Sequence, residues 1–236
     1  MNTSGISEMK IGYDDLDRSA YAKVTGIPLQ AGHVSIIGGF SGSTEGAAIV
    51  CVAGALQCLL AHCGDLINPS AVHSRVRSAV TRDLIWVRSL ALQALNQNSS
   101  LILAATGGDH PAAGPGTRQY FYEAAAGFIA CTVCGGHPLE GTRKFTVGKK
   151  ENFGSPLESR WMGEVSKGSA GLSREKANEI VKYLLGKYEA NLENAPEGFV
   201  FEELYDLEKM KPRTAYLDLY KELRDEMAEE GLSFNP

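Results

Sequence analysis

Three times between residues 32 and 134 a short apolar run gives way to a longer stretch with helical periodicity, and this alternation restricts the fold more than any other feature. Gly32 to Gly39 reads as a buried strand ending in glycines, followed by a helix from Ser43 to Ala61 capped near Ser43 or Thr44. A short strand at Asp65 to Asn68 stops at a Pro69-Ser70 break, and a helix runs from Thr81 to about Gln97 on Leu84, Val87, Leu90, Leu92 and Leu95. Ser100 to Ala105 reads as a third strand, residues 107–116 as a loop rich in Gly, Pro and Ala, and Thr117 to about Cys134 as an Ala-rich helix. A weaker fourth unit spans Lys144 to Val147 and a helix around Leu157 to Lys167. Parallel strands need crossovers of about a dozen residues or more, so this order predicts an α/β fold with a parallel sheet and helical connections.

The flanks differ from this body. Met1 to Lys10 is polar, and Gly12 to Thr25 carries Tyr13, Leu16, Ala20 and Val24 at helix-like spacing. Beyond Leu172 the chain becomes charged and helical: one helix opens at Ser173-Arg174-Glu175 and runs to about Asn191, and Pro196-Glu197-Gly198 interrupts. A last helix, Thr214 to Glu230, docks through a stripe of Tyr216, Leu217, Tyr220, Leu223 and Met227. The expected partition is an α/β body over 1–172 and a helical tail over 173–236 packed on it.

Composition narrows the function classes. With 44% hydrophobic and 22% charged residues the chain can bury a core, and a net charge of -5 with interspersed basic residues argues against nucleic-acid or anionic-lipid binding. Its longest apolar stretch, Ala47 to Ala61, falls short of the roughly 20 residues of a bilayer crossing and reads as a buried helix, so no membrane partner is expected. Five cysteines, an odd number without an export signal, fit reduced thiols in the cytoplasm.

In parallel α/β folds, functional groups gather where strands end and helices begin. The first such place is GGFSGSTEG, Gly38 to Gly46, where Glu45 either binds a cation or moves a proton, or complements the helix dipole. It lacks the Lys-Ser/Thr ending of a phosphate loop. The second, AVHSRVRSAVTRD, crowds His73, Arg75, Arg77, Arg82 and Asp83, which read either as an anion site or as a solvated loop or subunit contact. The third, ATGGDHPAAGPGT, holds Asp109 and His110, either an acid/base pair or a turn in which the Asp caps its own backbone. Cys131-x-x-Cys134 followed by His137 is half of a metal-site pattern without its second pair, and buried structural cysteines explain it better; no metal is expected.

Taken as a run, GGFSGSTEGAAIV, the His73-x-Arg75 loop with Thr81-Arg82, AAGPGTRQYFYEAAA, RWMGEVSKGSAGL and the closing tail resemble the monomethylamine methyltransferase family, colinearly from about Glu8 onward. Met162-Gly163-Glu164-Val165, then Ala170-Gly171, then Tyr188 to Pro196 carry most of the specificity. The resemblance implies the C-terminal half of a (β/α)8 barrel, acting in methyl transfer from monomethylamine to the cobalt of a separate, cognate corrinoid protein. It implies no directly bound cofactor, a pyrrolysine upstream of Met1 and after it an internal start, and dependence on the N-terminal half of the same barrel. On that alignment Glu45 matches one of two paired family glutamates, and Asp109 and His110 join it as catalytic candidates. Gly42, Ser43, His73 and Gly108 are the substrate-binding candidates. Gly46 replaces the second glutamate, a departure that implies either an altered substrate preference or a relative that never used methylamine, and Asp109 falls at or beside a family glutamine, which bears on the role of Asp109 and His110.

A half barrel exposes strand edges, so the chain is expected to self-associate, and a homo-oligomer is expected. The competing readings are a non-catalytic assembly fragment using the tail and Arg75 to Arg82, and an unrelated barrel lyase or isomerase using Glu45 with Asp109 or His110.

Overall fold

The computed structural model describes every residue except 1, 8, 77, 106, 107, 109, 139–153, 235 and 236. The chain order is β1 (Asn2–Ser7), α1 (Tyr13–Thr25), β2 (Gln30–Ile37), α2 (Thr44–His62), β3 (Leu66–His73), α3 (Arg82–Asn98), β4 (Ala104–Ala105), α4 (Arg118–Val133), β5 (His137–Pro138) and α5 (Pro156–Ser169). The tail adds α6 (Arg174–Tyr188), a 3-10 turn at Glu189–Asn191, α7 (Phe201–Leu204), β6 (Tyr205–Asp206), β7 (Lys211–Pro212) and α8 (Thr214–Glu229). Caps mark the helix starts as side-chain chemistry requires: Ser43, Thr81, Thr117 and Ser173 each accept a backbone N–H from the first turn that follows, worth about 1 kcal/mol apiece.

β1, β2 and β3 form one parallel sheet in chain order, and β4 pairs with β5, also in parallel. A parallel bridge between Ile67 and Leu103 links the two groups. The strand neighbours are therefore consecutive, each reached through a helix. The strands add to the sequence reading and correct it at one point. The polar opening contains a strand, because Asn2–Ser7 pairs along β2 despite its weak apolar signal. The Lys144 to Val147 strand lies outside the described residues, and the fifth strand is at His137–Pro138.

The expected break at Pro69-Ser70 is the correction: Pro69 interrupts nothing, and β3 runs through it to His73. Ile67 N–H donates to the Ile102 carbonyl on the β4 side at 2.9 Å. Two residues on, Pro69 turns its nitrogen to that same side, beyond the bridge to Leu103, so its missing donor breaks no ladder.

His33 sets the seat of α2. It is fully buried in β2, and a Cβ on Gly54 would come within 2.0 Å of its ring, so the helix lies directly on the imidazole. Nε2 accepts from Met9 N–H at 3.2 Å, while Gln57 donates to the Met9 carbonyl at 3.1 Å, fixing the β1–α1 connection from both sides. Burial pushes the His33 pKa down from 6.5 to about 4. The unfolded chain therefore takes up a proton that the fold refuses, and stability falls as pH drops from about 6.5 to about 4. At 1.36 kcal/mol per unit, His33 contributes a loss of about 3 kcal/mol over that window. Urea midpoints compared with His33→Gln check this: parallel pH profiles for the two proteins rule out the assignment.

α2 also departs from expectation. It is long and apolar enough to cross a membrane, yet 33% of its most apolar window is buried. Small residues face the sheet, with Ala47, Cys51, Ala55 and Cys58 buried, while Ile49 and Leu60 are 70% and 79% exposed. Close helix–sheet packing selects the small side, and the large aliphatic side is turned outward. The tail, by contrast, docks as expected: Tyr216, Tyr220, Leu223 and Met227 share one apolar cluster with Phe121 and Trp161.

Candidate active-site rim

Because β2, β3 and β4 run parallel, the segments that follow them emerge at one rim. After β2, Gly38 N–H donates to the Gly42 carbonyl at 2.8 Å, and Ser41 Oγ donates to the Ile36 carbonyl at 2.6 Å, closing a compact turn with Gly42 at φ +71°. Gly46 belongs to this closure, since a Cβ there would come within 2.1 Å of the Ser41 carbonyl oxygen. A larger residue at 46 is incompatible with this turn.

Ser43 caps α2 through the N–H of Gly46 at 3.2 Å. Glu45 sits exposed in the first turn, and the Ser43 hydroxyl followed by the backbone N–H at Glu45 holds its carboxyl below the ordinary carboxylate range. The group is an anion at neutral pH. That suits both a helix-start charge and a site for a cationic or protonating partner, so the two readings of Glu45 share one geometry.

His73 closes β3 opposite Ile37 of β2. Its Nδ1 accepts the Arg75 N–H at 3.0 Å, which in the neutral ring puts the proton on Nε2. Ser74 N–H donates to the Ile37 carbonyl at 3.0 Å, tying the second loop to the first. Arg82 is engaged within the chain. It forms a two-point pair with Glu189 at 3.0 and 2.6 Å, an intramolecular contact with the tail worth about 1 kcal/mol or less at this exposure. Arg77 lies outside the described residues.

In the third loop Asp109 lies outside the described residues, so its pairing with His110 is not part of this geometry. His110 is half-buried, and its carbonyl accepts the Ala79 N–H at 2.9 Å, joining the third loop to the second. Gly108 is buried against α4, where a Cβ would come within 2.3 Å of the Ala124 carbonyl. Its small size has a packing reason, apart from any contact with substrate. Cys131 and Cys134 are buried at the end of α4, in one cluster with Cys58, while His137 is exposed in β5.

Groups that sequence reasoning passed over build the support beneath this rim. Glu123, fully buried in α4, accepts four hydrogen bonds at 2.5 to 3.4 Å, from Ser78 Oγ, Ala112 N–H, Ala113 N–H and Gln119 Nε2. Burial pushes its carboxyl above the ordinary range while those donors pull the other way. Arg88, buried in α3, donates to the carbonyls of Ala79 and Ala71 at 2.7 and 2.6 Å, and the Tyr188 hydroxyl donates to the Val80 carbonyl at 2.7 Å. Residues 78–80 are thus gripped from α3, α4 and α6 together. The signal was present in the sequence as single charges inside apolar helices, LIWVRSLAL and YFYEAAAGF.

The tail also straps the third loop. Gly114 N–H donates to the Pro196 carbonyl at 2.8 Å and Phe199 N–H to the Pro115 carbonyl at 2.9 Å. The backbones approach so closely that a Cβ on Gly114 would stand 1.6 Å from the Glu197 carbonyl oxygen.

Comparison with known proteins places these features in a context. The family model described as Monomethylamine methyltransferase MtmB matches residues 1–232. Monomethylamine methyltransferase MtmB2 of Methanosarcina acetivorans is 29% identical over 232 residues, covering 98% of this chain and 50% of the relative. MtmB1 of Methanosarcina barkeri matches with the same identity and coverage. The crystal structure of the Methanosarcina barkeri monomethylamine methyltransferase superposes with a TM-score of 0.87 at 27% identity, over 97% of this chain and 50% of that one. The structure of a hydroxylamine MtmB complex fits equally well. The chain spans about half the length of the relatives it matches.

Proposed function

The chain belongs to the monomethylamine methyltransferase MtmB family, and from that premise we propose that it is the C-terminal half of a (β/α)8 barrel that transfers a methyl group from monomethylamine to a corrinoid protein, inactive without its complementary half. The observation that carries the reading is the match across residues 1–232. The strand order supports it: among the described residues the parallel strands β1 to β5 follow one another in unbroken order and are singly wound, whereas a doubly wound sheet reverses its order at a switch point. In this reading residues 1–172 supply strands to the barrel and 173–236 form a tail that braces its rim, in a cytoplasmic enzyme. Family membership weighs against an unrelated lyase or isomerase.

The pyrrolysine that the family resemblance implies upstream supplies an electrophilic imine for the amine, and the cobalt belongs to the partner. The donor set on this chain fits such a group: an exposed, ionised carboxylate and two imidazole-bearing loops share one rim. Glu45 holds the protonated amine by charge and takes up its proton. His73, with Nδ1 engaged by Arg75 N–H, offers Nε2 as a donor. His110 completes the site from the third loop, with Asp109, which lies outside the described residues, kept as its acid/base candidate, and Gly42, Ser43 and Gly108 keep the backbone low enough for a small amine to approach.

With the complementary half and the corrinoid partner present, Glu45→Gln is expected to lower the rate of methyl-cobalt formation about 100-fold with the melting temperature unchanged. Absorbance of the corrinoid follows the reaction. An unchanged rate removes Glu45 from the chemistry and leaves it as a helix-start charge. The non-catalytic reading survives only if the reconstituted wild type is also inert.

A further inference from the structure

We propose that the hollow where α3, α4 and α6 meet binds a small apolar monocarboxylate and, by tying these three helices together, firms the second loop of the rim from a distance. The hollow measures about 200 Å³. Ile85, Val133 and Val181 form its apolar walls, and Ala130 and Ala177 leave the space between them. Its inner polar groups satisfy one another: Gln93 Nε2 donates to the Ser89 carbonyl at 3.0 Å, and both side chains reach the buried Cys134 thiol, whose pKa burial raises. At the exposed mouth stand Arg174 and Asn178. No ion pair or side-chain hydrogen bond engages either of them among the described residues. Glu175, next in the chain, bonds at the Ser173 cap instead.

Charge and size choose the ligand. A free guanidinium and a free amide at the mouth of an apolar hollow, with no acidic residue in its lining, call for an anion that carries an apolar body. The guanidinium fork matches a carboxylate with two parallel hydrogen bonds, and the amide adds a third donor. An inorganic anion leaves the apolar walls unused, and an uncharged ligand leaves Arg174 unanswered. Since a cavity of about 150 Å³ accepts benzene, a single ring or a short chain bearing one carboxylate fits here. The same three helices hold residues 78–80, through Arg88 of α3, Glu123 of α4 and Tyr188 of α6. A ligand that binds only their packed arrangement stabilises it by mass action, so the grip on residues 78–80 tightens with occupancy. All of the lining lies on this chain, and nothing in the proposal needs the barrel to close.

The test titrates the full chain with sodium benzoate in a calorimeter, where a dissociation constant of about 1 mM is expected for a ligand of this size. Hydrogen exchange at residues 78–80 should slow as the hollow fills. Arg174→Gln, at an exposed position, is expected to weaken binding at least about 10-fold with the melting temperature of the free protein retained. Val133→Phe, which occupies the hollow from its wall, should abolish binding. Benzyl alcohol keeps the ring without the charge and inorganic phosphate keeps a charge without the ring; each is expected to bind at least about 10-fold more weakly than benzoate. The proposal is overturned if benzoate gives no heat up to about 50 mM, if Arg174→Gln or Val133→Phe binds it as well as wild type does, or if either control ligand matches it. Binding without any change of exchange at residues 78–80 overturns the link to the rim. None of these outcomes bears on methyl transfer, which the Glu45 assay decides separately.

Discussion

Gly114→Ala is expected to destabilise the protein by about 3 kcal/mol and to lower its melting temperature by roughly 6 to 12 °C. The new methyl group would stand 1.6 Å from the Glu197 carbonyl oxygen, with backbone on both sides and no flexible side chain to yield. Gly198, at φ +78° and itself in contact with Gly114, cannot relieve the clash by rotating. The cheapest response is release of residues 196–199. That limits the cost to the two backbone bonds from Gly114 and Phe199, about 1 kcal/mol each, plus the apolar contacts of the strap. Hydrogen exchange should then rise at Gly114 and Phe199 ahead of global unfolding. If exchange there matches wild type and the melting temperature holds, the close approach of the two segments is not a feature of the protein in solution.

Glu123→Ala should cost more, about 3 to 5 kcal/mol, because it strands donors from two loops in a buried site. Ala112 and Ala113 N–H, the Ser78 hydroxyl and Gln119 all lose their acceptor together. Glu123→Gln preserves the volume yet turns one half of its amide toward a donor. It is expected to lose about 2 kcal/mol, so the pair of variants separates the missing acceptor from the missing volume. Urea midpoints give both numbers. In the reconstituted enzyme the same variants are expected to disturb the loops bearing His73 and His110, since residues 78–80 and 110–113 share this anchor. Near-equal midpoints for wild type and Glu123→Ala contradict the role of the carboxylate as the joint between the two loops.

The helices of this fold were legible because an amphipathic helix must repeat its apolar face in the sequence. α3, α6 and α8 fall close to their expected bounds, and the stripe of Tyr216, Tyr220, Leu223 and Met227 is buried as its spacing implied. The strands were harder to read. β4 holds two paired residues and β5 another two, too few for any periodicity, and β1 is polar enough to pass for an irregular opening. α2 is apolar on both sides, so its composition could not tell which side faces the sheet; the small residues decided that by allowing close approach to β2 and β3.

The candidate site divides in the same way. Its loops could be located from the strand-to-helix junctions, and Glu45, Ser43 and His73 stand where those junctions place them. Its support could not. Glu123 meets Ser78 from 45 residues away and Ala113 from 10, and a single carboxylate in an Ala-rich helix does not name its partners.

By itself the sequence determined the order of the long helices, their caps, the charge balance and the family, all of which depend on neighbouring residues or on colinear pattern. Tertiary structure alone decided that Pro69 lies harmlessly in a strand, that α2 turns its large side outward, and that the tail grips the rim. The reason is physical: propensity, capping and periodicity act within a few residues, whereas the fate of a buried charge, a missing Cβ or an unpaired carbonyl depends on which distant segment folds against it.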